Sequence, residues 1–171
     1  MPSISPAAVA EDLTVAVLAG YLGTKAMEPV SQKLYELETD QDRAQEDEAR
    51  PGPPYRIDAE KTARLLGVKL TDQQMPKASM GFHHGLAISW AQLYALLRRR
   101  WRLHPVPAGL TMGTAMSLIA DETMTPALGF SAPNRAYSLA THLRGVAAHP
   151  VFVLAVAAVT EAAWALRGRR P

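Results

Sequence analysis

Apolar residues gather in four long stretches, Leu13–Val30, Ser79–Leu97, Val106–Leu128 and Ala136–Leu166, separated by polar or proline-containing chain. Each is close to the roughly 20 residues that carry a helix across a bilayer at 1.5 Å per residue. They are rich in Ala, Leu and Met without strict alternation, so the spacing predicts helices rather than strands. The helices are expected over about 13–35, 79–100, 106–128 and 136–166. Every stretch also contains ionisable residues. The pattern predicts one all-α domain over 1–171: a four-helix transmembrane bundle with a polar extramembrane segment, 36–78, between the first two helices. A soluble helical bundle is the competing reading.

Three features favour the membrane. The stretches carry small residues in Ala19-Gly20-Tyr21-Leu22-Gly23, Gly81…Gly85 and Gly109…Gly113, and small residues four apart let helices approach closely in lipid. Gly inside a soluble helix costs about 1 kcal/mol. Arg98, Arg99, Arg100 and Arg102 follow the second stretch, and Arg167, Arg169 and Arg170 follow the fourth. Four crossings put both clusters on one side, which the positive-inside rule makes the cytoplasm. Trp101 and Trp164 sit at stretch ends, where indoles prefer the headgroup layer. Glu11 and Asp12, rather than a basic run, precede the first stretch, so it is expected to be retained as the first helix. The expected location is a bacterial inner membrane with both termini cytoplasmic.

The segment between helices 1 and 2 has its own pattern. Pro29 should kink helix 1 near its outer end. Val30, Leu34 and Leu37 recur at helical spacing, so the helix should continue beyond the bilayer. The acidic run Glu36–Glu48, seven carboxylates and one Arg, then leads to Pro51-Gly52-Pro53-Pro54, expected to be a turn or extended linker. Asp58 is placed to cap a short helix, Ala59–Leu66, closed by Gly67. The segment reads as a solvated loop with one surface helix; the sharper alternative is a cap over the bundle or a docking surface.

Composition narrows the chemistry. The 171 residues contain no Cys, which removes disulfides, iron–sulfur clusters and thiol catalysis. A net charge of +2, with no Arg-lined amphipathic face, gives no case for nucleic acid. No phosphate-binding glycine loop, nucleophile elbow or paired-carboxylate signature is present.

What chemistry remains lies in ionisable residues within the stretches. Lys25 and Glu28 are three apart and share a helix face, so they can neutralise each other. His83 and His84 open helix 2, Asp121 and Glu122 lie late in helix 3, and His142, Arg144 and His149 lie early in helix 4. The topology puts all of them in the outer half of the bilayer, while the inner halves hold little beyond Glu161. A charge at mid-bilayer costs at least about 2.5–3.5 kcal/mol, so such residues face one another or a wet cavity. A polar pocket opening outward above a dry inner floor is expected. Two uses compete. One is a structural network in which Arg144 pairs Asp121 or Glu122. The other is a divalent metal held by His84, His142, His149, Asp121 and Glu122, for which no fixed ligand spacing is present. No cofactor is otherwise expected. Arg98–Arg102 read as topology markers, and Trp90 and Tyr94 as packing residues.

Three motifs resemble a known group. His84…Tyr94 on helix 2, Thr125-Pro126-Ala127-Leu128-Gly129-Phe130-Ser131-Ala132-Pro133 after helix 3, and Thr141-His142-Leu143-Arg144-Gly145-Val146-Ala147-Ala148-His149 on helix 4 are similar to the YagU-like family of uncharacterised bacterial inner-membrane proteins. The resemblance covers mainly residues 79–165. It implies about four membrane helices and brings no catalytic residues with it. The expected role is non-enzymatic, as an accessory, structural or envelope-stress component; the alternative is a metal-, proton- or ion-handling membrane protein. Expected partners are the lipid bilayer and a homo-oligomer or larger membrane complex, with no nucleic acid.

Overall fold

The computed structural model describes residues 6–50 and 55–168. The expected Pro51–Pro54 linker, and Arg169 and Arg170, lie outside the described residues.

The chain is all-helical, with no strand among the described residues. Helix α1 spans Pro6–Glu36, α4 Met75–Trp101 and α7 Leu139–Leu166. A fourth continuous rod joins α5, Pro105–Ala115, to a π-helix, Met116–Met124, and the short α6, Thr125–Ala127. These match the four apolar stretches, with α1 starting earlier than expected and running through Pro29. Helix α7 is the centre of the bundle: it packs against α1 on one side and α5 on the other, and α4 lies along α1.

Close approach depends on glycine at two crossings. A Cβ on Gly113 would stand 2.5 Å from Pro150 Cα, so α5 and α7 meet backbone to backbone there. A Cβ on Gly20 would stand 3.0 Å from the Ala87 backbone, which sets the α1–α4 spacing. Gly81 and Gly85, expected to serve the same purpose, instead face open space on the outside of α4.

The buried apolar set is dominated by alanine: Ala16, Ala19, Ala59, Ala87, Ala91, Ala95, Ala108, Ala148 and Ala157, with Tyr94, Phe152 and Trp164 as the large members. Leu and Ile are absent from it. The large aliphatics point outward instead, among them Leu13, Val17, Leu18 and Leu22 on α1, Leu110, Leu118 and Ile119 on the α5 rod, and Leu139 and Leu143 on α7. Among the described residues one helix, α7, is long and apolar enough by itself to cross a membrane, with a mean hydropathy of 1.7 over its best window. The other described helices do not meet the same requirements of length and composition.

The acidic run is not a loop. Asp40–Ala49 folds into helix α2, whose Thr39 hydroxyl accepts from the Asp42 N–H at 3.1 Å. Asp40 and Asp42 in the first turn suit the positive end of the helix dipole. Helix α3 spans Arg56–Leu65, starting three residues and ending one residue earlier than expected. Tyr55, with φ 61, takes the N-terminal cap position that the sequence reading gave to Asp58. Gly67 does close the helix: it adopts φ +73, and Val68 N–H reaches back to Ala63 O at 2.8 Å. Helix α3 packs on α4, and α2 touches α7 and the 3-10 turn Asn134–Ala136.

Candidate functional site

The end of the bundle beside the acidic segment contains a cavity of about 370 Å³. The wall from α7 carries His142, Arg144 and His149; the π-helix adds Asp121, α4 adds His83, and α3 with its cap adds Tyr55 and Asp58. Met27, Met116, Phe130 and Phe152 supply the apolar surface. Ala87 and Phe152, which also line it, belong to the buried apolar core together with Val156.

Of the nine residues expected to share an intramembrane cluster, His83, Asp121, His142, Arg144 and His149 meet around this cavity. Lys25 and Glu28 do pair, at 2.7 Å, but both side chains are about half exposed on the flank of α1 (51% and 47%). Their pair therefore belongs to the surface. His84 stands apart from the cavity, its ring 6.0 Å from that of Tyr21 and 5.4 Å from that of His83.

Glu122 stands behind the wall and fixes it. His142 Nδ1 lies 2.7 Å from Glu122 Oε1, and Nε2 lies 3.1 Å from the Asn134 carbonyl. The Asn134 amide in turn donates to the Glu122 carbonyl and to its carboxylate at 2.8 and 3.0 Å. This closed set ties the π-helix, the 3-10 turn and α7 together. Separately, His149 Nδ1 donates to Gly145 O at 2.8 Å and stands 3.3 Å from Asp121 Oδ2. The metal set drawn from His84, His142, His149, Asp121 and Glu122 does not assemble: among the described residues no three His, Asp or Glu side chains converge to hold an ion. They form two separate pairs, with His84 on another face.

Arg144 is also not the partner of Asp121 or Glu122. It donates to Glu38 at 2.7 Å and to both oxygens of Glu46 at 2.7 Å, which clamps the acidic segment onto α7. Arg50 makes a second ion pair with Glu46. The Tyr35 ring covers the Arg144 guanidinium at 5.1 Å. Glu46 and Glu38 are almost fully buried here, and Glu38 Oε2 has no partner. Burial pushes the Glu38 carboxyl above its ordinary value, against the pull of Arg144. The acidic segment is thus held against α7 by charge.

Tyr55 forms another part of the rim. Its ring stacks on His83 at 4.4 Å, and burial pushes its hydroxyl up to about 12, with Asp121 and Asp58 adding to the rise. Burial likewise raises the Asp58 carboxyl. Beyond Tyr55 and His83 a second cavity of about 650 Å³ opens between α1 and the start of α4, lined by Met75, Pro76 and Met80 with Glu28 and Asp72. Lys61 fastens the rim from α3 by donating to Gly129 O at 2.5 Å and Leu128 O at 3.1 Å, the free carbonyls at the end of α6.

The opposite end corrects the sequence reading most. Arg98 and Arg99 are interhelical partners rather than simple flanking charges. Arg98 donates to Glu161 at 2.5 and 3.0 Å, and the Tyr94 hydroxyl adds a contact at 3.3 Å. Arg99 donates to Asp12 at 2.5 and 2.8 Å, stacks 4.6 Å from the Trp164 ring, and shares Asp12 with the indole N–H at 2.9 Å. One network joins α1, α4 and α7. The burial of Asp12 was the missed feature: an acid immediately before an apolar stretch reads as a flank unless its distant cation is known.

Compared with known families, with curated proteins and with solved structures, the chain matches none.

Proposed function

We propose that this chain is a small integral membrane protein of non-enzymatic role, similar to the YagU-like group, built as four membrane helices around a polar pocket in the outer half of the bilayer. One observation carries the reading: among the described residues nine of the seventeen buried apolar side chains are alanine and none is Leu or Ile, while most of the exposed large apolar side chains are Leu. In water this arrangement forfeits the burial of the residues that gain most from it, about 1.5–3 kcal/mol for each large aliphatic. In lipid it costs nothing, and small residues at the helix contacts gain dispersion energy through close approach. The charges in α1 and α4 fit the same setting, because Asp12 with Arg99 and Glu161 with Arg98 enter as pairs. The acidic cap over the pocket belongs on the outer side, and the inner network at the cytoplasmic side. Among the described residues no hydroxyl lining the pocket is hydrogen-bonded to a His or carboxylate base, and the proposed use of the pocket is to hold a solute. The test is carbonate extraction of membranes from cells producing the chain: the proposal expects retention in the pellet, and release into the supernatant would overturn it.

A further inference from the structure

We infer that the outer cavity binds a small organic cation, its charge held near Asp121 and Asp58 and its apolar body against the surrounding rings. The inference deepens the proposed solute-holding role of the same pocket. Charge accounting around the cavity carries it. Arg144 and Arg50 are matched by Glu38 and Glu46, and His142 is matched by Glu122. Two lining carboxylates are left over. Asp58 and Asp121 have no Lys or Arg ion pair among the described residues: Lys61, the cation that acts on Asp58, donates to the Leu128 and Gly129 carbonyls, and Asp121 faces Glu122, of like charge, and His149, whose near nitrogen already donates to Gly145 O at the shorter distance. Tyr55, Tyr137, Phe130 and Phe152 line the same space. Aromatic faces attract a cation by about 0.5–2 kcal/mol each and accept an apolar body equally well. The volume, about 370 Å³, suits a ligand of small-drug size. Access is mainly of the same sign: Asp40, Asp47 and Glu48 are exposed on α2, and Glu28 and Asp72 stand against Arg56 in the adjoining cavity. A cap of one sign raises the local concentration of the opposite charge.

The experiment uses two probes of matched shape and opposite charge, tetraphenylphosphonium and tetraphenylborate, in equilibrium dialysis against the purified full chain. The inference expects saturable binding of the cation and only non-saturating uptake of the anion. Asp121→Asn should weaken the cation about tenfold, the loss of one charge partner. Tyr55→Leu should weaken it several-fold without admitting the anion. Glu36→Gln, an exposed carboxylate outside the cavity, should leave binding unchanged. Equal uptake of both probes, or an unchanged affinity in Asp121→Asn, overturns the inference. Should Asp121→Asn fail to fold, Asp58→Asn on α3 reads the same charge from a different element. A chain that proves extractable without detergent can be dialysed in plain buffer, so failure of the membrane reading and failure of the cation site are read separately.

Discussion

Glu38 shows how far a single side chain can depend on distant sequence. Its carboxylate is buried under Arg144, 106 residues away, while its second oxygen has no partner. Burial holds the folded carboxyl above its ordinary value, so between the unfolded and folded values the native state binds more protons than the unfolded one. Stability from this group is present in acid and is lost as pH rises through that window. Glu38→Gln should remove the loss: its Tm in detergent should fall less between pH 4 and pH 7 than that of the unsubstituted chain. An equal or steeper fall would show that the group is not desolvated. None of this was legible in the sequence. Arg144, Asp121 and Glu122 were recognised as groups needing partners, but helical spacing identifies neighbours only within one helix. Arg144 takes its partners from an acidic run that looked solvated, and Arg98 and Arg99 looked like flanking charges for the same reason.

At the level of elements, the four apolar stretches located the long helices to within a few residues, apart from the early start of α1. Hydrophobicity alone decides where such helices lie, and the Gly67 ending was readable from backbone chemistry. Helix α2 was missed because it has almost no apolar residue to show a period; its signal was the Thr39 cap followed by acids in the first turn. The π-helix at Met116–Met124 had no local signature. It places Asp121 at the cavity and Glu122 behind it, and such wide turns recur at functional sites. Glycine spacing named candidate crossings without telling which were used. Gly113→Ala should cost about 1–3 kcal/mol, because the added methyl meets the Pro150 backbone. Gly85→Ala should be neutral to about 1 kcal/mol stabilising, since open space surrounds it and alanine is the better helix former. Thermal unfolding of both variants in one detergent checks the pair; equal effects would contradict the helix contacts described.

The whole molecule has two polar levels separated by an apolar waist. From His149 to Glu161 the chain rises roughly 18 Å along α7 at 1.5 Å per residue. Phe152, Val153, Val156 and Ala157 fill that interval and are buried. The pocket beside the acidic segment and the ion network at the other end are therefore separated by packed apolar side chains, which suits the proposed binding role better than a conduit. The absence of cysteine makes the central claim directly measurable. Leu65→Cys lies at the exposed end of α3 beside the cap, and Leu166→Cys at the exposed end of α7 beyond the inner network; the two leucines are 85% and 89% exposed. Intact cells are treated with a membrane-impermeant maleimide before and after permeabilisation. The account predicts that the cysteine at position 65 labels in intact cells and that the one at 166 labels only after permeabilisation; the same accessibility at both positions in intact cells would contradict a bundle that crosses the membrane with its pocket facing outward.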